Sequence, residues 1–345
     1  MSGPVSKIGF KKKGVLAVIL FLIITTVLSA LFFYFTYFLQ SLEKKVVVDI
    51  PRRMGLSQIA LRLEESGVIR NEKLFTLFVL IKGAQNRLKA GEYEFQPGNS
   101  MNKIIEKLIK GDVIVRKITI PEGLTLDQIA DLLDANGVIS SEDFMEKAKS
   151  AAFAREILGD SAASFEGYLF PDTYSYTKGM TPEELILMMT SRFKKVYESL
   201  GSGPPEQNLT DHEIVTLASI IEKETGDGSE RPLISAVFYN RLRLGMRLES
   251  DPTVIYGLGR DFDGNLKKEH LTNEASSYNT YRNSGLPPGP IANPGKESLW
   301  AALNPAKVDY VYFVSKGDGT HHFSSDYRDH REAVIKYQKK TNRSY

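Results

Sequence analysis

Residues 217–257 read LASIIEKETGDGSERPLISAVFYNRLRLGMRLESDPTVIYG, and they indicate how the C-terminal part of the chain is built. Thr210 and Glu213 have the spacing of a helix-capping box. The apolar residues after them recur at helical spacing as far as Ile221. The glycines of the GDG string at 226–228 are expected to end this helix. The stretch therefore predicts a helix that carries two carboxylates at its end and is followed by a glycine-rich turn.

Glu222 and Glu224 are the two carboxylates at this helix end. A carboxylic acid that stays protonated near neutral pH needs a partly apolar setting, because desolvation disfavours the carboxylate form and raises the pKa. Glu224 lies three residues after Ile221 and Glu222 lies seven residues after Val215, so each is at one edge of the apolar stripe. Periodicity does not choose between them. Solvated helix-end acids paired with a basic neighbour such as Arg231 fit the same pattern.

The remainder of the stretch supplies polar donors and a further carboxylate. A second helix is predicted over 232–244, with the donors Asn240 and Arg241 on it and Arg247 just after it. Arginine suits the carboxylates of a ligand because its guanidinium pairs with them through two hydrogen bonds. Asp251–Thr253 is predicted either as a turn that leads into a strand or as the start of a helix.

The segment that follows is rich in aromatic residues, proline and glycine. Tyr278–Thr280 precedes a loop over 285–295, which is expected to form one wall of an extended groove or an ordered surface crossover. Val308–Val314 is predicted as a strand, and the GDGT string after it as the turn of a hairpin. Neighbouring strand residues point to opposite faces, so His321 and His322 are not expected to share an ion, and no metal is predicted.

Several strings of this region occur together in one order. EKET, SER, NRL, GMRL, DPTVIYG and SSYNTYRNSGLPPGPIANPG follow one another, and in this the chain resembles the endolytic murein transglycosylase family (MltG, YceG-like). The resemblance covers almost all of the chain outside its N-terminal tip and includes EGYLFPDTY at 166–174. It implies that Glu224, the second glutamate of EKE, is the catalytic acid, with Glu222 as the fallback.

The resemblance also implies an activity. One carboxyl would protonate the glycosidic oxygen of a MurNAc–GlcNAc bond and then accept the proton of the C6 hydroxyl that attacks C1, which leaves a 1,6-anhydro-MurNAc end. Endolytic cutting of nascent glycan strands would end their elongation, without a cofactor and with the peptidoglycan synthases of the same membrane as partners. The residues predicted to contact the substrate or to support the acid are Glu222, Asn240, Arg247, Asp251, Thr253, Tyr278, Asn279 and Thr280.

Two other functions fit the same residues. A muramidase-type hydrolase would use Asp251 or Asp172 as a second carboxylate and would leave a reducing sugar end. A non-catalytic, membrane-anchored scaffold would bind glycan through its N-terminal repeat, and its glutamate pair would be structural. The chemistry of the product end separates the two enzymes, and a scaffold would not shorten glycan at all.

The N-terminal region contains an apolar run over 15–39 without a charged residue. At about 1.5 Å per residue it would span roughly 37 Å, which is enough to cross a hydrocarbon core of about 30 Å. The lysines of the tip, residues 1–14, predict a single-pass anchor in the bacterial cell (inner) membrane, with the N-terminus cytoplasmic and the catalytic domain outside, on the periplasmic side. A cleaved signal peptide with Leu28–Ala30 as its cleavage signal is the alternative, but the run is too long for one.

Length and composition set broad limits. The chain has 345 residues, a formal net charge of +2 and no cysteine. This charge balance gives no signal for nucleic-acid binding, and the cysteine count excludes disulfides and cysteine-ligated zinc. The expected fold class is α+β, with the anchor followed by small βα units and a mixed catalytic domain that contains an antiparallel sheet.

An internal repeat defines the βα units. Residues 50–69 align without gaps onto 120–139, and each copy is predicted as a strand ending in proline, a turn, an amphipathic helix and a glycine C-cap. The identical pairs are Leu56/Leu126, Gln58/Gln128, Ile59/Ile129, Ala60/Ala130, Leu63/Leu133 and Gly67/Gly137. Such units resemble LysM-like glycan-binding modules, and a structural spacer explains the same pattern.

These predictions divide the folded part into a LysM-like module at 46–118 and a YceG-like catalytic domain at 119–345 that begins with the second repeat copy at 119–150. A strand over 90–95 and a helix over 99–110 complete the module. In the catalytic domain, helices are also predicted over 140–159 and 181–200, and a loop over 201–208. The string FEGYLFPDTYSY between these helices is expected to divide its aromatic rings between a sugar cleft and the core.

Overall fold

The computed structural model describes residues 8–37, 44–201 and 209–338. Four predicted segments extend outside the described residues, by 1–7 of the cytoplasmic tip, 38–39 of the anchor, 202–208 of the loop and 339–345 of the catalytic domain. The fold is α+β, with three two-stranded sheets among the described residues. The chain divides into two compact units, of which the first reaches to Arg116 and includes Thr177–Gly179, and the second contains the rest.

Helix α1, Ile8–Tyr37, is the N-terminal apolar helix. Its window Gly14–Phe32 is long and apolar enough to cross a membrane, and none of that window is buried inside the protein. A helix that is apolar on all sides and packs so little against its own chain requires an apolar surrounding. The window agrees with a membrane anchor or a signal sequence by length and composition.

The first unit continues with two strands and three helices around one core. In chain order they are β1 (Val46–Ile50), α2 (Leu56–Glu65), α3 (Glu72–Ile81), β2 (Gly91–Phe95) and α4 (Met101–Lys110). Strands β1 and β2 are antiparallel, with Val46 opposite Phe95 and Ile50 opposite Gly91. The strand and helix predicted over 90–95 and 99–110 are confirmed, whereas α3 was not anticipated.

The repeat is confirmed element by element. Strand β3 (Val115–Thr119) and helix α5 (Leu126–Ala135) form the second copy, and α5 is offset from α2 by 70 residues at both ends. The shared glutamine has a capping role, because Gln58 accepts from the Gly55 amide at 3.1 Å and Gln128 from the Thr125 amide at 3.0 Å. The shared pairs Ile59/Ile129, Ala60/Ala130 and Leu63/Leu133 are buried in the core.

The second unit contains most of the helices. In chain order its further elements are α6 (Ser141–Ala148), α7 (Ala151–Leu158), β4 (Thr173–Thr177), α8 (Pro182–Ser199), α9 (Asp211–Glu224), α10 (Arg231–Arg243), α11 (Asp251–Leu258), α12 (Lys268–Thr272), α13 (Lys296–Leu303), β5 (Tyr312–Ser315), β6 (His321–Ser324) and α14 (Tyr327–Tyr337). Strand β3 pairs with β4, and β5 pairs antiparallel with β6. The predicted hairpin is thus confirmed, although its first strand is shorter than Val308–Val314.

Helix α9 is the central helix of this unit, and its residues Ile214–Ile221 are all buried. The capping box is confirmed, since the Glu213 amide donates to Thr210 Oγ1 at 3.3 Å and Glu213 Oε2 accepts from the Thr210 amide at 2.8 Å. The predicted glycine C-cap is wrong. The helix ends at Glu224, because Thr225 already has extended backbone angles of φ −142° and ψ 140°.

Three further predictions needed correction. The helix over 140–159 is two helices, because Ser150 caps the start of α7 by accepting from the Phe153 amide at 3.3 Å. DPTVIYG forms helix α11, so for Asp251–Thr253 the predicted helix start is confirmed and the turn into a strand is wrong. A proline in the first turn of a helix lacks only an amide that a helix start leaves unpaired. The aromatic residues of FEGYLFPDTYSY are all buried, so packing explains them.

The loop over 285–295 is not a surface crossover, because Gly289–Gly295 are buried. Its polar backbone is paired inside the protein: the Ile291 amide donates to Ser219 Oγ at 3.0 Å, and the Asn293 amide donates to the Leu124 carbonyl at 2.9 Å. A buried loop needs such partners because unpaired amides are costly away from water.

Candidate active site

Glu224 is the last residue of α9, and its side chain is half-buried where the chain leaves the helix. Ser250 Oγ donates a hydrogen bond to Glu224 Oε1. Burial raises the pKa of Glu224 to about 7; the Ser250 hydrogen bond and the charge of Arg241 act in the opposite direction, and the charge of Asp251 adds to the rise. A carboxyl with this pKa can hold a proton near neutral pH and can also release it.

Ser250 is itself held by two buried threonines. Its amide donates to Thr280 Oγ1 at 3.0 Å, and its carbonyl accepts from Thr253 Oγ1 at 2.7 Å. The two threonine hydroxyls lie 2.8 Å apart. Because the Thr253 hydroxyl proton is used on the Ser250 carbonyl, the Thr280 hydroxyl donates in that pair. These hydrogen bonds fix the Ser250 backbone, and the Ser250 hydroxyl donates to Glu224.

Asp251 is the first residue of α11 and is exposed beside this group. Its Oδ1 accepts from the Tyr281 hydroxyl at 2.7 Å. Tyr281 is in turn positioned by Asn279, whose Oδ1 accepts from the Tyr281 amide at 3.0 Å. A second carboxylate is therefore held in a fixed position next to the candidate acid.

Arg241 on α10 organises the turn that precedes Ser250. Its Nη1 donates to the carbonyls of Arg247 at 2.9 Å and Leu248 at 3.0 Å. Its Nε donates to the Val311 carbonyl at 2.7 Å. The guanidinium is buried and connects α10, the turn and the segment before β5. These bonds fix the backbone directly before Ser250 and Asp251.

Glu222 points away from this site. It lies two residues before Glu224, which corresponds to roughly 200° around a helix. Its Oε2 accepts from the Gly295 amide at 3.0 Å, and its Oε1 lies 3.5 Å from Arg231 Nη2. Both partners are internal, so Glu222 secures the start of α13 and the buried loop to α9.

The other predicted residues have different positions. Asn240 Nδ2 donates to the carbonyls of Val308 and Tyr310, both at 2.9 Å, so it anchors the approach to β5. Asn279 is buried and also donates to the Asn273 carbonyl at 2.7 Å. The ring of Tyr278 packs on a neighbouring tyrosine with centroids 4.8 Å apart. Of the predicted set, Thr253, Thr280 and Asp251 converge with Glu224, whereas Arg247 has an exposed side chain.

Sequence reasoning missed Ser250 and Tyr281, and it considered Arg241 only as one donor among several. Each adjoins a predicted residue: Ser250 directly precedes Asp251, and Tyr281 directly follows Thr280. The strings SDPT and YNTY, which contain both predicted and missed residues, were therefore the available signal. The contacts themselves connect parts of the chain 26 and 30 residues apart, which no local pattern reveals.

Glu166 was also missed, and it is a buried acid of this unit. Both of its oxygens accept from the Leu126 amide at 3.2 Å, Tyr256 Oη donates at 3.1 Å and Asn293 Nδ2 donates at 3.2 Å. Burial raises the pKa of Glu166 to about 8, while the hydrogen bonds from Leu126 and Tyr256 lower it. The carboxyl connects α5, α11 and the buried loop.

The two histidines of β6 do not converge. His321 Nδ1 lies 2.6 Å from Glu230 Oε2, and the His321 amide donates to Glu230 Oε1 at 2.8 Å. His322 Nε2 lies 3.5 Å from a different acid, Asp329. They fix the hairpin to the start of α10 and to α14 respectively.

The site combines a half-buried carboxyl that has a pKa near neutrality with a second fixed carboxylate. This arrangement on an α+β unit is typical of an enzyme that works by acid–base catalysis. Residues 48–336 match the model of the YceG-like family, and the chain belongs to that family. Three relatives are similar over most of this chain. An endolytic murein transglycosylase of Bacillus subtilis (strain 168) is 35% identical over 330 residues, which cover 90% of this chain and 91% of the relative.

An endolytic murein transglycosylase of Streptococcus pneumoniae serotype 2 (strain D39) is 33% identical over 93% of this chain, and the match spans 65% of the length of that relative. The crystal structure of a YceG-like protein from Listeria monocytogenes superposes with a TM-score of 0.55 at 35% identity. The superposition covers 84% of this chain and 99% of the Listeria chain. The resemblance stated from the motifs is thereby confirmed.

Proposed function

We propose that this protein is a membrane-anchored endolytic lytic transglycosylase of peptidoglycan, with Glu224 as its catalytic acid and base. The observation that carries the proposal is the Glu224 carboxyl, half-buried with a pKa of about 7, in a chain whose relatives are named endolytic murein transglycosylases. The YceG-like family match supports the enzyme class.

The proposed reaction uses one carboxyl twice. Protonated Glu224 gives its proton to the glycosidic oxygen, and the bond from that oxygen to C1 of the muramyl sugar breaks. The C6 hydroxyl oxygen of the same sugar then bonds to C1, and its proton goes to the Glu224 carboxylate. The products are a 1,6-anhydro-muramyl end and a free hydroxyl on the leaving sugar, and no water is consumed. Attack within one sugar benefits from a preformed ring geometry.

Ser250 supports both steps through its hydroxyl. It donates to the carboxylate that forms when Glu224 has released its proton, and it can rotate to accept when the acid is protonated. Thr253, Thr280 and Arg241 maintain this arrangement by holding the Ser250 backbone. Asn279 supports the site indirectly, because it positions Tyr281, whose hydroxyl donates to Asp251.

A muramidase-type hydrolase is the second candidate, and the observation that favours it is Asp251. Its carboxylate is close enough to Glu224 to raise the pKa of that group. A hydrolase would use such a carboxylate as nucleophile or base. In the transglycosylase, Asp251 instead helps Glu224 to keep its proton at neutral pH.

The setting of the enzyme is part of the proposal. With α1 as a single-pass anchor, an N-terminus in the cytoplasm and the folded units outside, the active site would be held near newly polymerised glycan strands. Cutting there would end their elongation, and the peptidoglycan synthases of the same membrane would be the natural partners. A LysM-like role for the first unit, as a module that binds glycan, rests on its copy of the βα repeat, whose second copy continues into the second unit.

The test is digestion of purified peptidoglycan by the full-length protein in detergent, with the product ends identified by mass spectrometry. We expect anhydro-muramyl ends from the wild type and none from Glu224→Gln, which keeps the shape of the side chain. Glu332→Gln, which changes an exposed acid on α14, is the matched control and should cut normally. Reducing ends would support the hydrolase, and equal activity of Glu224→Gln and wild type would exclude Glu224 as the catalytic acid.

A further inference from the structure

Helix α3 has an apolar surface that the core of the first unit does not use. Its buried side packs Phe75, Phe78 and Val79 into that core. Its outer side carries Leu77, Leu80 and Ile81, which are exposed by 51%, 52% and 65%. These three residues, the α3 stripe, have the i, i+3, i+4 spacing of one helix face. Single exposed apolar residues are ordinary, whereas an adjacent group on one face marks an interaction surface.

The α3 stripe is next to the residue of α3 that contacts the apolar helix. The ring of Phe32 contacts the ring of Phe78, with centroids 5.4 Å apart. Phe32 is the last residue of the membrane-crossing window. The window has 19 residues, which at about 1.5 Å per residue give roughly 28 Å, close to the hydrocarbon thickness of about 30 Å.

The apolar run continues in the sequence to Leu39, so Phe32 would lie in the outer part of the hydrocarbon layer, whichever way α1 is inserted, and Phe78 beside it would lie at a similar depth. Around a helix with about 100° per residue, Ile81 falls between Leu77 and Phe78. The α3 stripe thus continues directly from the residue that contacts α1.

Chain length and charge agree with this position. Eight residues, 38–45, connect α1 to β1, and a chain of eight residues spans at most about 27 Å. The first unit therefore stays near the membrane surface. Lys73 and Lys82 are exposed toward the two ends of α3, where long basic side chains can reach lipid headgroups.

We propose that the α3 stripe inserts into the interfacial layer of the same membrane that holds α1, so that the first unit rests on the lipid surface. The occupant of this surface is the bilayer and not another protein. The inference rests on the membrane-anchoring part of the proposed function and is independent of the chemistry at Glu224. Its consequence is a second point of attachment, which fixes the orientation of the first unit relative to the bilayer.

The absence of cysteine from the natural sequence makes a direct test possible. Ile81→Cys in the full-length protein is labelled with an environment-sensitive fluorophore and reconstituted into liposomes that contain brominated lipid. The matched control is Leu187→Cys on α8, a leucine exposed by 41%. If the stripe enters the interface by the roughly 5–10 Å typical of such contacts, bromine should quench position 81 at least about twofold more than position 187.

A second change tests the stripe as a unit. Leu77→Glu in the Ile81→Cys background should shift the emission at position 81 toward that of water and remove most of the quenching. Flotation of each sample with the liposomes reports the anchor separately, so failure of the anchor is distinguishable from failure of the stripe.

Three results would overturn the proposal. The first is aqueous emission without quenching at position 81 in a protein that floats with the liposomes. The second is equal quenching at positions 81 and 187. The third is a blue shift at position 81 that brominated lipid does not quench and that grows with the protein-to-lipid ratio, which would indicate a second copy of the chain.

Discussion

Replacing Ser250 by alanine should raise the pKa of Glu224 and shift the pH dependence of catalysis. The Ser250 hydroxyl is the hydrogen-bond donor to this carboxyl and favours its charged form. A hydrogen bond to a charged group contributes about 1.5–3 kcal/mol, and one pKa unit corresponds to about 1.36 kcal/mol. The loss would thus raise the pKa by about one to two units. Because Glu224 is only half-buried, water replaces part of the lost bond, and we expect a rise of about one unit.

The expected readout follows from the first step of the reaction. Only protonated Glu224 can give a proton to the glycosidic oxygen, so kcat/KM for release of anhydro-muropeptides should fall as pH rises through the pKa of about 7. In Ser250→Ala this alkaline limb should move up by about one pH unit. The variant keeps the backbone bonds to Thr253 and Thr280, so the fold of the turn is preserved.

A companion variant should move the limb in the opposite direction. Asp251→Asn removes the negative charge that helps to hold the proton on Glu224, so the pKa should fall and the alkaline limb should start at lower pH. Both variants are measured from about pH 4 to about pH 9, which brackets ordinary and raised carboxyl pKa values. An unmoved limb in Ser250→Ala, or shifts of the same sign in the two variants, would refute this account of Glu224.

Three further predictions concern the residues around the site. Glu222→Gln should lower the free energy of unfolding by about 2 kcal/mol, because it removes the charge paired with Arg231. Unfolding in denaturant measures this change. Loss of cleavage at unchanged stability would instead favour Glu222 as the catalytic acid. Glu166→Gln should flatten the pH dependence of stability. Because the pKa of Glu166 is raised from 4.5 to about 8, the free energy of unfolding of the wild type should fall by about 1.4 kcal/mol per pH unit relative to the variant as the pH rises between these values. Melting temperatures of the two proteins that run parallel across this pH range would contradict the buried-acid account. Gly167→Ala should destabilise the protein more than Gly179→Ala. Both glycines have positive φ, of 86° and 82°, but the new Cβ would lie 2.4 Å from a proline ring only at Gly167. Equal unfolding midpoints of the two variants would argue against a tight contact at Gly167.

The sequence predicted those elements whose signals are local. The capping box of Thr210 and Glu213 and the repeat helices depend on residues a few positions apart, and all of them formed as expected. DPTVIYG was ambiguous because a proline is compatible with both a turn and the first turn of a helix. The break at Ser150 depends on one side-chain hydrogen bond inside an otherwise helical pattern, which periodicity does not reveal.

The candidate site was only partly predictable because its residues meet through tertiary contacts. Asn240 and Asn279 have the polarity of ligand-binding residues, but their amides are engaged by backbone carbonyls of their own chain. Ser250 is an ordinary residue in sequence and acquires its role only because Arg241 and two threonines place it against Glu224. Polar residue type therefore indicated the neighbourhood of the site and not the task of each residue.

The contrast between Glu166, which is buried, and Glu224, which is half-buried, explains why we propose only Glu224 as the catalytic acid. Glu166 accepts from three donors, one of them the first amide of α5, and its oxygens are thereby committed to holding elements together. Glu224 lies at the C-terminal end of α9, where the helix dipole disfavours a negative charge. Among the described residues Ser250 is the one hydrogen-bond partner of Glu224, and it engages Oε1. Oε2 is thus left to exchange a proton with a substrate oxygen, while burial and the helix end keep that proton available near neutral pH.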